Sequence, residues 1–176
     1  MDKSLAVPPL TLLLVLAAGV REAAATPSVE AGLAGSYVLG HRPGAGDLQG
    51  PEPQVTVRLG VAPDWDLFLR ASLALFPQDG GTDLLSVLAG TALVIDDAAW
   101  IPAVFVGIGY HGAMVRGDLG PNGVVAGGFH LDRRVLPSFR VGLGAEVRLP
   151  FLQRSRLPWL AAISLRVLWG PAGASR

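Results

Sequence analysis

The sequence predicts an all-β fold, an eight-stranded antiparallel up-and-down barrel that spans a membrane. Three observations favour this fold. Apolar and polar residues alternate with a period of two along most of the chain. The connections between the alternating segments are short and long in turn, and every Trp and Tyr lies on the apolar face of its segment. Transmembrane barrels combine these features.

Segment 139–149 shows the alternation most clearly. Its odd positions are all apolar, namely Phe139, Val141, Leu143, Ala145, Val147 and Leu149. Its even positions are charged residues or glycines, namely Arg140, Gly142, Gly144, Glu146 and Arg148. Successive side chains of a strand point to opposite faces, so one face is apolar and the other is charged. A soluble sandwich would bury the apolar face, whereas a transmembrane barrel turns it towards lipid.

The composition is hydrophobic, with 51% apolar residues and a mean hydropathy of +0.46. Membrane helices do not explain these values. After the N-terminus the longest mostly apolar run is 84–95, which is shorter than the roughly 18 residues that a helical span needs. The hydrophobicity is therefore spread over short segments, as it is in a barrel.

Residues 1–25 are predicted to be a secretory signal peptide. Lys3 lies in a short head, an apolar run follows from 10 to 20, and an Ala-Ala-Ala cleavage site ends at Ala25. The alternative is an N-terminal anchor helix, for which the run is short. Residues 26–176 then form one barrel domain.

The charge of this domain is balanced, because the leader takes two basic and two acidic residues from a chain of net charge zero. A nucleic-acid partner would need a basic patch, so none is expected. The chain has no cysteine, which excludes disulfides and thiolate metal sites. No cofactor or metal site is predicted.

The remaining strands follow the same rule in chain order. Segment 29–39 alternates apolar with small or acidic residues, 54–61 alternates Val and Leu with Gln, Thr and Arg, and 65–76 alternates Trp, Leu and Ala with Asp, Arg and Ser. Segment 84–95 is apolar on both faces. In 100–110 Pro102 lies close enough to the strand start to be tolerated, 123–131 is rich in glycine, and 159–169 opposes Trp, Ile and Val to Ser and Arg. With 139–149 these segments give eight strands.

The connections alternate in length. Short turns are expected at Pro63-Asp64, at Asp96-Asp97 and at Asp132-Arg133-Arg134, and long loops at 40–53, 77–83, 112–122 and 150–158. In bacterial outer-membrane barrels the short turns are periplasmic and the long loops are outside. The sequence thus predicts that loops 40–53 and 112–122 face the exterior.

Aromatic residues provide an independent argument for a membrane barrel. Lipid-facing barrels carry aromatic girdles at both interfaces. The predicted girdle has three members at the turn end and three near the loop end, namely Trp65, Trp100 and Trp169, and Tyr37, Tyr110 and Trp159.

The whole of 26–176 resembles the small eight-stranded outer-membrane barrels of the OmpA/OmpX type. The final strand, 161–169, resembles the C-terminal signal of such barrels, although Gly170 to Arg176 follow the closing aromatic Trp169. The resemblance implies location in the outer membrane of a Gram-negative bacterium. It also implies contact with outer-membrane lipid and lipopolysaccharide, and recognition of the last strand by the barrel-assembly machinery.

Three motifs in the sequence could indicate nucleotide binding, catalysis or adhesion, but each lacks a feature that the function needs. Residues 107–112 match the dinucleotide fingerprint, but the glycines and proline after them cannot form the helix that the fingerprint requires. His111 and His130 could act in a lipid A deacylase, but the His-x-Ser pattern of that family is missing. The adhesion tripeptide at 116–118 is too short to be a specific signal.

The charged residues of inward parity are the strongest constellation: Glu30, Arg58, Asp66, Arg70, Arg140, Glu146, Arg148 and Arg166. Buried charges are costly unless they are paired, and eight strands leave an interior that side chains fill. We therefore predict a salt-bridge network, with Glu146 pairing with Arg166 and Glu30 with Arg58. The alternative is a selective narrow pore.

These patterns lead to three functional hypotheses. The first is a non-enzymatic barrel with a structural role or a binding role in its loops. The second is a narrow channel for small or apolar solutes, favoured if the inward apolar residues Phe68, Leu84, Leu88 and Phe105 line a passage. The third, a lipid-modifying enzyme, lacks a Ser/His/acid set at recognisable spacing.

Overall fold

The fold is a closed antiparallel barrel, described by a computed structural model over residues 28–42, 46–77, 83–95, 99–113, 122–151 and 158–170. The predicted signal peptide lies outside the described residues. The strands are β1 (Ser28–Arg42), β2 (Gly46–Ala62), β3 (Trp65–Ala74), β4 (Leu84–Val94), β5 (Trp100–Ala113), β6 (Asn122–Leu136), β7 (Phe139–Pro150) and β8 (Trp159–Trp169). Each strand pairs with its neighbours in sequence, and β1 pairs with β8 to close the ring. The fold class predicted from the sequence is confirmed.

Within the part of the chain that the structure describes, no helix has the length and apolar character needed to cross a membrane.

The alternation of the sequence becomes an alternation of burial. Along β8, for example, Trp159, Ile163 and Leu165 are exposed on the outer surface, while Ser164 and Arg166 are buried in the lumen. The same pattern holds in β2, β3 and β7. The barrel is therefore apolar outside and polar over much of its inside, the reverse of a soluble protein.

The β1–β2 hairpin is longer than predicted, and the expected loop 40–53 is wrong. The ladder between the two strands continues up to the pair Arg42 and Gly46. Two prolines, Pro51 and Pro53, caused the error because proline lacks the N–H that a ladder uses. Both point outward, and the Pro51 carbonyl accepts a hydrogen bond from the Leu75 N–H at 3.0 Å, so the strand is maintained.

The turn expected at Asp132-Arg133-Arg134 is also misplaced. Strand β6 runs on to Leu136, with a register shift after Arg134, and the turn lies at Pro137 and Ser138. The turn at Pro63 and Asp64 is where the sequence placed it. The turn expected at Asp96-Asp97 lies outside the described residues. We call the end with these turns the turn end, and the opposite one the loop end.

Two clusters of buried apolar side chains occupy parts of the lumen. The wall cluster lies mainly on β4, β5 and β6 and consists of Phe68, Leu88, Ala92, Val94, Ile101, Ala103, Phe105, Val124 and Ala126. The mouth cluster lies at the loop end and consists of Val38, Leu48, Ala74, Phe76, Leu84, Leu160 and Ala162. The lumen thus has an apolar wall, an apolar mouth and, between them, a polar side.

Candidate functional site in the barrel lumen

Charged residues fill the polar side of the lumen, on β1, β2, β3, β6, β7 and β8. All eight charges that the sequence placed inside point inward. Six of them are at most 7% exposed, namely Arg58, Asp66, Arg70, Glu146, Arg148 and Arg166. Glu30 and Arg140 form an ion pair near the turn end, where their side chains are 15% and 12% exposed.

Arg148 is the centre of a cluster on the loop side of the lumen. Its Nη2 donates a hydrogen bond to Glu52 Oε2 at 2.8 Å, and its Nη1 donates to the second oxygen of the same carboxylate. Its Nε donates to Glu146 Oε1 at 2.5 Å. Glu146 in turn lies 2.5 Å from Arg70 Nη1. This arrangement ties β2, β3 and β7 together across the lumen.

A second cluster lies nearer the turn end. Arg166 Nη2 donates to Asp132 Oδ2 at 2.8 Å. Arg58 Nη1 lies 3.7 Å from Asp66 Oδ2 and 3.9 Å from Asp132 Oδ2. Arg58 Nη2 is also 3.3 Å from His130 Nδ1. Asp132 therefore serves two arginines, one from β2 and one from β8.

Two of these carboxylates, Glu52 and Asp132, were missed by the sequence analysis. Each is fully buried. With them, the five lumen arginines face five acids among the described residues, so the charges balance. The alternation of inward and outward positions could have identified both acids. Glu52 is separated from the inward Arg58 by an even number of positions, and Asp132 is likewise two positions from the inward His130. The prolines around Glu52 and the turn-like Asp-Arg-Arg sequence concealed the strands.

The two ion pairs predicted from the sequence are wrong. Glu146 binds Arg70 and Arg148, and Arg166 binds Asp132. Glu30 lies opposite Arg58 in the β1–β2 register, yet its carboxylate binds Arg140 of β7. Inward side chains of a narrow barrel reach across the lumen, so adjacent strands do not determine the partners.

Two histidines, His111 and His130, are buried in the lumen and contact neighbouring side chains. His130 stacks on the Phe105 ring with the centroids 4.6 Å apart. His111 Nδ1 lies 2.6 Å from Ser86 Oγ, a pair that the sequence analysis did not find because the residues are distant in sequence. Both members of this pair are buried, at 1% exposure. The described residues contain no group of three His, Cys, Asp or Glu side chains suited to a metal.

The inward apolar residues do not line an open passage. Phe68, Leu88 and Phe105 belong to the wall cluster and Leu84 to the mouth cluster, and all four are buried. Phe68 and Phe105 pack edge to face, with ring centroids 5.7 Å apart. They border a cavity of about 20 Å³, which is enough for about one water molecule.

No protein-family model matches the sequence, and no curated protein matches it either. Solved structures do match. The crystal structure of Neisserial surface protein A (NspA) aligns with 84% of this chain and 99% of its own, at 13% identity and a TM-score of 0.67. The N-terminal β-barrel domain of Pseudomonas aeruginosa OprF aligns with 80% and 97%, at 10% identity and a TM-score of 0.54.

Ail, the attachment invasion locus protein of Yersinia pestis, also matches. Its crystal structure with the heparin analogue sucrose octasulfate aligns with 82% of this chain and 97% of its own, at 16% identity and a TM-score of 0.53. The chain has the fold of the eight-stranded outer-membrane barrels. The neighbours are themselves outer-membrane proteins of Gram-negative bacteria.

The aromatic residues assigned to the girdle all lie on the outer surface of this barrel, at 42–52% exposure. Trp65, Trp100 and Trp169 begin or end strands at the turn end. Tyr110 and Trp159 lie near the loop end. Tyr37 lies deeper than the sequence suggested, because β1 continues to Arg42 and Tyr37 pairs with Ile163 in the middle of β8.

The dinucleotide motif has no counterpart in the structure. Residues 107–112 lie inside β5, where all six pair with β4 and 107–111 also pair with β6. Gly107 faces the lumen, where an added Cβ would be 3.1 Å from Phe68 Cζ. Gly107 therefore leaves room for the packed wall cluster. The tripeptide at 116–118 lies outside the described residues.

Proposed function

We propose that this protein is a non-enzymatic barrel of the outer membrane of a Gram-negative bacterium, closed to solutes, with a structural role and a binding role at its loop end. The observation that carries the proposal is the filled lumen. Among the described residues, five arginines and five acids occupy its polar side, and the mouth cluster occupies its loop end.

The filled lumen argues against the channel hypothesis. A conducting pore keeps water along its axis, as the wider porins do. Here Arg148, Glu52 and Glu146 join across the lumen, and Phe76 and Leu160 are buried in the mouth cluster. Opening a passage would require separating buried ion pairs, which is unfavourable by several kcal/mol, about 3–5 for each broken pair.

The outer surface supports the proposed location. It carries large apolar side chains that do not pack against other parts of the protein, such as Leu143 at 58% exposure and Ile163 at 71%. We assign this surface to outer-membrane lipid and, at the loop end, to lipopolysaccharide. The last strand, β8, ends at Trp169 and is the segment that we assign to recognition by the barrel-assembly machinery.

Current recording in planar bilayers tests the closed lumen. We expect the purified, refolded barrel to give no steady current, with folding verified by the gel shift between heated and unheated samples. The double variant Phe68→Ala/Phe105→Ala, which removes two rings from the lumen, serves as a control that widens the cavity. A steady, large current from the parent would show a wet lumen and would replace our proposal with the channel hypothesis.

Binding at the loop end is tested with a probe taken from the neighbour Ail. That protein was crystallised with sucrose octasulfate, and the segment after β7 in this chain contains two arginines, Arg154 and Arg156. We expect the parent to bind this probe in calorimetry and the double variant Arg154→Gln/Arg156→Gln to lose the binding. Arg133→Gln, at the turn end, is the matched control. Equal binding by all three proteins would place the site elsewhere.

A further inference from the structure

The lining of the lumen cavity, which has a volume of about 20 Å³, combines apolar residues such as Phe68, Phe105 and Leu168 with buried cations. Three buried arginines border it, namely Arg58, Arg70 and Arg166, together with His130. No acidic side chain is among the described residues that line it. The carboxylates of the network lie behind the arginines, outside the cavity.

Each of these arginines has donors left over after it has bound its acid. Arg70 uses Nη1 for Glu146, and its Nε and Nη2 have no hydrogen-bond partner among the described residues. Arg166 uses Nη2 for Asp132, and its Nε is likewise without such a partner. Arg58 Nη1 lies 3.7 Å from Asp66 Oδ2 and 3.9 Å from Asp132 Oδ2, and it has no hydrogen-bond partner among the described residues. Buried donors of this kind are normally satisfied, so the cavity is expected to hold an acceptor.

The chemistry of the lining selects the acceptor. A water molecule accepts only two hydrogen bonds and carries no charge, whereas three guanidinium groups converge here around one small space. A monatomic anion accepts hydrogen bonds from several donors at once. A small anion fits in a cavity of about 20 Å³.

We propose that this cavity binds one monatomic anion of the halide class, held by Arg70, Arg166 and Arg58 in the middle of the lumen. The anion would act as an internal part of the salt-bridge network and stabilise the closed barrel. This inference concerns the lumen alone and does not depend on the binding role proposed for the loop end.

Halide linkage tests the proposal. The barrel is refolded and unfolded by denaturant in sodium chloride, sodium bromide or sodium gluconate at one ionic strength, so that general screening is the same. If one halide binds only the folded state, the folded-to-unfolded ratio should rise about tenfold for each tenfold rise in halide above its Kd. Gluconate is too large to enter and should give no rise. A parent barrel equally stable in all three salts would overturn the proposal.

Two further measurements locate the ion. Crystals grown in bromide should show an anomalous peak within hydrogen-bonding distance of Arg70 and Arg166, and a cavity without such a peak would overturn the proposal. Arg70→Gln should lose the halide dependence, whereas Arg133→Gln, an exposed arginine at the turn end, should keep it. Because Arg70→Gln could fail to fold, Ala34→Leu is added: Ala34 lines the cavity, and leucine there fills it. Full halide dependence in either folded cavity variant would contradict the assignment.

Discussion

Arg148 shows how single residues hold the lumen together. Its guanidinium is 1% exposed and binds two carboxylates, Glu52 from β2 and Glu146 from its own strand. Gln54 supports the arrangement, since its Nε2 donates to Glu52 Oε2 at 3.0 Å. A charge so buried is tolerated because two carboxylates accept hydrogen bonds from it.

Glu52→Gln should therefore destabilise the barrel strongly. The substitution keeps the size of the side chain and removes the charge opposite Arg148, which is left with Glu146 alone. We expect a loss of about 3–5 kcal/mol in the free energy of unfolding, measured by denaturant titration in lipid vesicles. Asp47→Asn is the matched control, since the Asp47 side chain is 87% exposed and its loss should change little. Equal stability of the two variants would show that water screens the network.

Inward or outward orientation could be predicted for individual charges, but their partners could not. Parity alone places Arg70 and Glu146 in the lumen, because each strand has a strict period of two. The pair that they form joins β3 to β7, and these strands are not neighbours. Such contacts depend on the barrel's closure and strand tilt, which the alternation pattern does not contain. Glu52 and Asp132 were not predicted to lie in the lumen for a different reason. Turn-forming residues around them indicated loops, although the alternation of the flanking residues continues through both positions.

At the scale of the element, strand β7 is shaped by inward glycines that admit side chains from its neighbours. A Cβ added at Gly144 would be 2.5 Å from His130 Cδ2 and 2.6 Å from Ser164 Oγ. One added at Gly142 would be 2.7 Å from the Leu131 carbonyl oxygen and closer still to Asp132 Oδ1. The glycines thus make the space in which Asp132 reaches Arg166. The alternation of the sequence places these glycines on the charged face of the strand, but it does not show which side chains they admit.

A pair of glycine variants tests this role. Gly142→Ala should lower the free energy of unfolding by about 1–3 kcal/mol, because the methyl group overpacks the lumen against Asp132 and the backbone of β6. Gly35→Ala adds the same methyl group on the outer surface, where nothing lies within 4 Å of the Cβ position, and should be neutral or stabilising by about 0.5–1 kcal/mol. Parallel denaturant titrations compare them. A larger loss in Gly35→Ala would contradict the packing described here.

In the whole molecule, the distribution of polar and apolar side chains between inside and outside is the reverse of that in a soluble protein. Charged side chains are buried in the lumen, whereas large apolar side chains such as Val104 and Ile163 are exposed at 64% and 71%. This arrangement is stable only if the surroundings are apolar, because apolar surface left in water is unfavourable. The fold could be predicted at this scale because the pattern recurs in most of the strands. The hairpin and turn limits could not, because prolines and charged residues occur in both strands and turns.

Because the outer surface is apolar, the loss of folding free energy caused by a charge placed there depends on the depth of that charge in the membrane. Leu143 lies in mid-barrel, paired with Leu131 and Leu165, whereas Val135 lies at the turn end of β6. The two side chains are equally exposed, at 58% and 57%, so burial within the protein does not separate them. Leu143→Arg should cost about 2–4 kcal/mol in lipid bilayers, and Val135→Arg about 0–1 kcal/mol, because arginine near the interface reaches the headgroups. Folding titrations into vesicles measure both values. Equal costs, or a normal yield of Leu143→Arg alongside a failed Gly142→Arg, would mean that the apolar face does not meet lipid.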